Sequence, residues 1–193
     1  MKTAFSGWVT LNGEEYVVKP DTCYGYADKN WGRDFTSPWV WLSSNNLVSK
    51  LTGKRLKNSV FEAVGGTPKV FGISLNRKLL GQFYYEGTDY KFNFSKFWTG
   101  SRTRFDCRET DTQILRTVTQ TTFRAKMEAQ VTCSKEEMLL INYESPDGCK
   151  RHTRLWNCGN GFGRVKLWRK KGNRRHLADD VKAESVGCEY GVY

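Results

Sequence analysis

The chain has 193 residues, enough for one domain with a sizeable core, and is 38% hydrophobic and 14% aromatic with only four prolines. That balance, with no low-complexity tract, excludes a disordered or collagen-like chain, and no run reaches the ~20 apolar residues of a membrane-spanning helix. Lys and Arg outnumber Asp and Glu 31 to 20, a net charge of +11, which favours an anionic partner: nucleic acid, an anionic membrane surface or an acidic ligand.

In chain order, WVTLNGEEYVV (8–18) reads as two short strands around Asn12-Gly13, a type I′ hairpin signal. The N-terminal residues lack the apolar stretch of a secretory signal, so the sequence predicts a cytoplasmic chain. Pro38 leads into the strand WVWL. SVFEAVGG, KVFGISL, LLGQFYYEG and DYKFNFSKFW follow, divided by Gly65-Gly66, Asn76-Arg77 and Gly87-Thr88-Asp89. Phe94, Phe97 and Trp98 are expected in the core or a cavity wall. QILRTVTQTTFRAKMEAQV (113–131) alternates at period two and predicts one or two long antiparallel strands. MLLINYE is a strand closed by the turn Ser145-Pro146-Asp147-Gly148. In GRVKLWRKK, Val165, Leu167 and Arg169 share a face opposite Lys166, Trp168 and Lys170. HLADDVKAES (176–185) is the one segment that reads as a short helix. About ten short strands with no helical layer imply an all-β fold, either a sandwich or an antiparallel β-barrel; the hairpins and aromatic load favour a single barrel of roughly eight to ten strands over 1–193.

The six cysteines include no CxxC pair and the chain has two histidines, so no metal site is predicted, and the thiols are expected to be free. GNGFG (159–163) lacks the lysine and helix of a nucleotide loop. The segment richest in chemistry is 24–46, YGYADKNWGRDFTSPWVWLSSNN. It places Asp28 between Tyr26 and Trp31, where aromatic neighbours would desolvate the carboxyl and keep it protonated as a general acid requires. Asn30, which both donates and accepts, would orient that acid or hold a substrate hydroxyl. The alternative is an Asp28 ion pair with Lys29 or Arg33 that merely caps a turn.

YADKNWGRDFTSPWVWLSSN (26–45) resembles the acid–Lys–Asn–Trp–Gly segment and following tryptophan-rich strand of the tocopherol cyclase family. YESPDGCKRHTRLWNCGNGFGRVKLWRK (143–170) resembles that family's Cys-rich turn, glycine bend and amphipathic strand, and SVGCEYG (185–191) its C-terminal strand. The resemblance implies a lipocalin-like barrel matching the C-terminal half of a family member, with a second barrel supplied in cis or in trans. It also implies a reaction without a redox cofactor, in which a prenylated phenol or quinol closes to a chromanol. Asp28, standing where the family has Glu, would protonate the alkene. Tyr26, Trp31, Trp39 and Trp41 would provide apolar wall and cation–π faces, and Asn30 would hold the ring hydroxyl. The rival reading is a non-catalytic barrel that binds a hydrophobic or amphipathic lipid, at an anionic membrane surface. Nucleic acid ranks last as a partner because no binding motif is present.

Overall fold

The computed structural model describes residues 3–25, 38–67, 69–70, 73–74, 78–144, 147–149 and 151–191. The chain divides into two compact units, Met1–Trp31 and Gly32–Tyr193.

In the first unit, β1 (Thr3–Ala4) pairs with β4 (Tyr24–Gly25), and β2 (Gly7–Leu11) forms a hairpin with β3 (Glu14–Val18). Asn12 and Gly13 both take positive φ, 52° and 83°, as a type I′ turn demands. The Phe5 ring packs over Gly25, where an added Cβ would lie 2.6 Å from the ring.

The second unit is one strongly curled antiparallel sheet, a half-barrel of nine strands, in keeping with the all-β, barrel-like fold expected from the strand pattern. Its strands are β5 (Trp39–Ser44), β6 (Asn46–Ser49), β7 (Val60–Gly66), β10 (Lys78–Tyr85), β11 (Thr88–Phe92), β12 (Arg102–Glu109), β13 (Gln113–Thr121), β14 (Ala125–Ser134), β15 (Leu139–Glu144), β16 (Arg151–Lys171) and β17 (Arg174–Gly191). A separate small ribbon joins β8 (Lys69–Val70) to β9 (Ile73–Ser74). Nine strands follow one path, β11-β10-β7-β5-β17-β16-β14-β13-β12, with β15 beside β16 and β6 beside β17. The last strand thus joins two meanders, because β17 pairs with β5 on one side and β16 on the other.

Period-two patterning builds the interior. Val40 and Leu42 of β5, Phe61 and Ala63 of β7, Val118 of β13, Met127, Ala129 and Val131 of β14, Val165 and Leu167 of β16, and Val181 and Ala183 of β17 are buried in one cluster. The curl brings strands distant in the path together. The Gln120 Nε2 of β13 donates to the Leu79 carbonyl of β10 at 2.9 Å, across the interior. It reaches because Gly81 has no side chain; a Cβ there would lie 1.7 Å from Gln120 Oε1.

Two expectations are corrected. HLADDVKAES is not a helix but the first half of β17, paired along its length with β16 and β6. Its adjacent Asp179 and Asp180 hide the alternation because β17 carries an extra residue, Ala178, opposite the Leu167–Trp168 step of β16: Leu167 pairs with Asp179 and Trp168 with Leu177. GNGFG lies within the 21-residue β16, where register shifts bend the strand at Gly161 and Gly163. Phe97 and Trp98 are not core residues: they sit on a 3-10 turn, Phe97–Thr99, and are 83% and 64% exposed. The turn replaces the strand pattern because β11 ends at Phe92, and Ser95 bonds back to the Asn93 side chain.

Candidate functional site

The interior of the second unit carries charge where a structural core would carry none. Arg116 is fully buried. It stands on the inner face of β13 between Ile114 and Val118, and its register neighbours are Cys107 of β12 and Val131 of β14. Its guanidinium carbon lies 5.3 Å from the centroid of the Tyr190 ring. Nε, Nη1 and Nη2 have no hydrogen-bond partner among the described residues. A guanidinium cannot shed its proton, and desolvating it costs several kcal/mol unless acceptors compensate. A cation–π contact recovers only about 0.5–2 kcal/mol. The three nitrogens thus keep unused donor capacity among the described residues.

Three thiols lie near this group. All six cysteines are free. Cys158 and Cys188 are direct cross-strand partners, and Cys133 reaches them across Gly161. A Cβ at Gly161 would lie 2.8 Å from Cys188 Sγ and 2.9 Å from Cys133 Sγ, so glycine is what lets the sulfurs meet. The Cys188 thiol, hydrogen-bonded to Cys133, lowers the Cys133 pKa, and the Arg116 charge adds to that against burial. The same pairing, with burial, pushes Cys188 up.

A second polar cluster forms around Asp179. Asp179 is 1% exposed and accepts three hydrogen bonds: from Ser49 Oγ at 2.8 Å, Tyr85 Oη at 2.9 Å and its neighbour's backbone N–H at 2.7 Å. Burial, then the bond to Asp179, pushes the Tyr85 phenol up to about 12. The exposed Arg169 covers the Tyr85 and Tyr90 rings, its guanidinium carbon 5.6 and 5.3 Å from their centroids. Asp179 has three donors, whereas Arg116 has no acceptor among the described residues.

The family assignment follows. A family model described as tocopherol cyclase-like matches residues 2–192. The chain belongs to the tocopherol cyclase-like family. No curated protein and no solved structure matches it.

Of the tocopherol cyclase-like residues singled out in the sequence, Tyr26, Asp28, Asn30 and Trp31 lie outside the described residues. Trp39 and Trp41 are described. They alternate with the buried Val40 and Leu42, so they occupy the opposite face of β5 from the core. Trp39 Nε1 donates to Glu189 at 2.9 Å and Trp41 Nε1 to Glu62 at 3.1 Å; Asn157 Nδ2 donates to the other Glu189 oxygen at 2.8 Å. The Trp41 ring lies over Gly187, where a Cβ would come within 2.5 Å of it. The structure therefore does not bring these two tryptophans to Arg116, which is on the inner face. Arg116, Asp179, Tyr85 and Tyr190 were not read as functional from the sequence. For Arg116 a signal existed: in ILRTVTQ it alternates in phase with Ile114 and Val118, a charge on an apolar face.

Among the described residues no helix is long and apolar enough to cross a membrane.

Proposed function

We propose that the barrel binds a hydrophobic or amphipathic small molecule with an oxygen-bearing head, of the prenylated phenol or quinol class, and that Arg116 receives the oxygen. One observation carries this reading: a fully buried guanidinium, held over Tyr190, with three nitrogens unpartnered among the described residues. The apolar inner face around it suits an isoprenoid tail. The test is equilibrium binding of a geranylated hydroquinone to the wild-type protein and to Arg116→Met. Saturable binding that weakens about tenfold or more in the variant is expected, the loss of a charge-assisted hydrogen bond. Equal binding by both proteins would remove Arg116 from the site.

Family membership also favours a separate activity, cyclisation of a prenylated phenol or quinol to a chromanol. In this reading the Asp28 carboxyl gives its proton to the trisubstituted alkene, forming a tertiary carbocation. The phenol oxygen attacks that carbon and its proton returns to the Asp28 carboxylate, so the net change is an isomerisation. Tyr26 and Trp31 supply apolar and cation-stabilising ring faces and Asn30 holds the ring hydroxyl, while Trp39 and Trp41, on the outer face of β5, take no part. Chromanol formation by Asp28→Asn at the wild-type rate would show that Asp28 is not the acid.

A further inference from the structure

One end of the second unit carries exposed aromatic mass in a field of positive charge. Phe97 and Trp98 are 83% and 64% exposed and stack edge to face with ring centroids 5.2 Å apart. Phe123, 64% exposed, occupies the turn between β13 and β14 and its backbone N–H donates to the Thr99 carbonyl at 3.0 Å. Its ring packs against Gly100, where a Cβ would lie 2.6 Å away; Gly100 also has φ of 64° and ends the 3-10 turn. The turn and the hairpin tip are therefore locked into one protruding knuckle with three rings. Large apolar groups are seldom left this exposed together unless something covers them.

Cations adjoin the knuckle. Lys96 precedes Phe97 and Arg124 follows Phe123, and both are exposed. The Lys170 backbone N–H donates to the Arg124 carbonyl at 2.8 Å, and Arg175 Nη2 donates to the Thr122 carbonyl at 3.1 Å. Lys171 and Arg174 close the adjoining β16–β17 hairpin as register partners. None of these six side chains is in an ion pair with a described residue; the recorded pairs use Lys91, Arg108, Lys126, Lys135, Arg164 and Lys182 instead. The neighbouring Arg169 leads inward to Tyr85, Tyr90 and the buried Asp179. The knuckle thus lies at the barrel end that carries the Asp179 cluster.

We infer that this knuckle is a docking surface for an anionic lipid bilayer, with Phe97, Trp98 and Phe123 entering the interfacial layer and the six cations resting on acidic headgroups. Aromatic rings prefer the membrane–water boundary, and each nearby Lys or Arg adds attraction to an anionic leaflet. Single-stranded nucleic acid would also use rings and cations, but it needs rings laid along a groove to stack successive bases. Here the rings project from a turn and a hairpin tip, a shape for insertion. Docking in this way turns the Asp179 end of the barrel towards the membrane, the phase in which a prenyl lipid resides. This surface is independent of the ligand reading for Arg116.

The test is co-sedimentation of the full chain with phosphatidylcholine vesicles, with and without phosphatidylglycerol. Partition onto the anionic vesicles alone is expected, with a blue shift in fluorescence that Trp98→Phe reduces. The triple variant Phe97→Ser, Trp98→Ser, Phe123→Ser and the charge variant Lys170→Gln, Lys171→Gln, Arg174→Gln should each bind at least about tenfold more weakly. The charge variant should unfold as wild type does, because its side chains are exposed, and the triple variant should keep the wild-type circular dichroism spectrum. Failure of the wild-type protein to bind anionic vesicles overturns the inference, as does full binding by the triple aromatic variant. Tight binding of a single-stranded oligonucleotide that blocks vesicle binding and is lost in the same variants would reassign the surface to nucleic acid.

Discussion

Replacing Arg116 by methionine should make the ligand-free protein more stable. Arg116 is fully buried, its three nitrogens have no acceptor among the described residues, and its guanidinium carbon lies 5.3 Å from the Tyr190 ring centroid. Methionine has comparable length, no charge and enough flexibility to fill the space. The substitution forfeits about 0.5–2 kcal/mol of cation–π attraction. It relieves a desolvation penalty of several kcal/mol, and swaps of buried charge for apolar side chains have stabilised proteins by about 1–4 kcal/mol. A net gain of about 2 kcal/mol is expected, which for a chain of this size raises Tm by roughly 4–8 °C. The assay is thermal and urea unfolding of ligand-free wild type and Arg116→Met, followed by circular dichroism. A variant less stable than wild type by 2 kcal/mol or more would refute the reasoning, because it would mean that the folded protein already satisfies the guanidinium.

Three further outcomes are expected. Tyr85 is held neutral by burial and by its bond to Asp179, with its pKa pushed up to about 12; the folded state therefore binds that proton more tightly than the unfolded chain, whose tyrosine titrates near 10. Its stabilisation is complete below pH ~10 and is lost as pH rises towards 12, and an ultraviolet titration of phenolate absorbance should lose its latest component in Tyr85→Phe. Asp180 behaves in the opposite sense: the bidentate Arg164 holds its carboxyl below the usual range, against the upward pull of burial. That contribution is present above pH ~4 and is lost as pH falls through the depressed folded value, so Arg164→Gln should flatten the acid limb of a stability–pH curve while changing its alkaline limb little. Gly163→Ala would place a Cβ 2.2 Å from the Gln130 carbonyl oxygen and 3.0 Å from Val131 Cα, both main-chain atoms of β14. Parting β14 from β16 should cost about 1–3 kcal/mol or more in urea unfolding.

Much of the fold was legible because period two and turn chemistry are local. Asn12-Gly13 announced its hairpin, and the Thr/Val alternation of 113–131 became β13 and β14, broken at Thr122–Arg124. What escaped depends on partner strands. Which face of β17 carries Asp179 is set by the extra residue Ala178, which shows only in the register against Leu167 and Trp168 of β16. The glycines of 159–163 looked like a bend, yet Gly161 and Gly163 are needed for close approach to Cys133, Cys188 and β14. Phe97 and Trp98 had the composition of a core strand, but the chain turned at Asn93 and exposed them. The candidate site divides in the same way. Asp28 and its neighbours stood out by residue type, while the phase of Arg116 with Ile114 and Val118 marked an inward charge but not its surroundings, Tyr190, Cys133 and Cys188, which come from strands distant in sequence.

The central claim is that the barrel interior holds an oxygen-headed lipid through Arg116. Titration calorimetry of a geranylated hydroquinone into wild type and into Arg116→Met tests it most directly. Saturable one-to-one binding by the wild-type protein, weakened about tenfold or more in a variant that is folded and more stable, is the predicted result. No binding to the wild type, or the same affinity in both proteins, would contradict it.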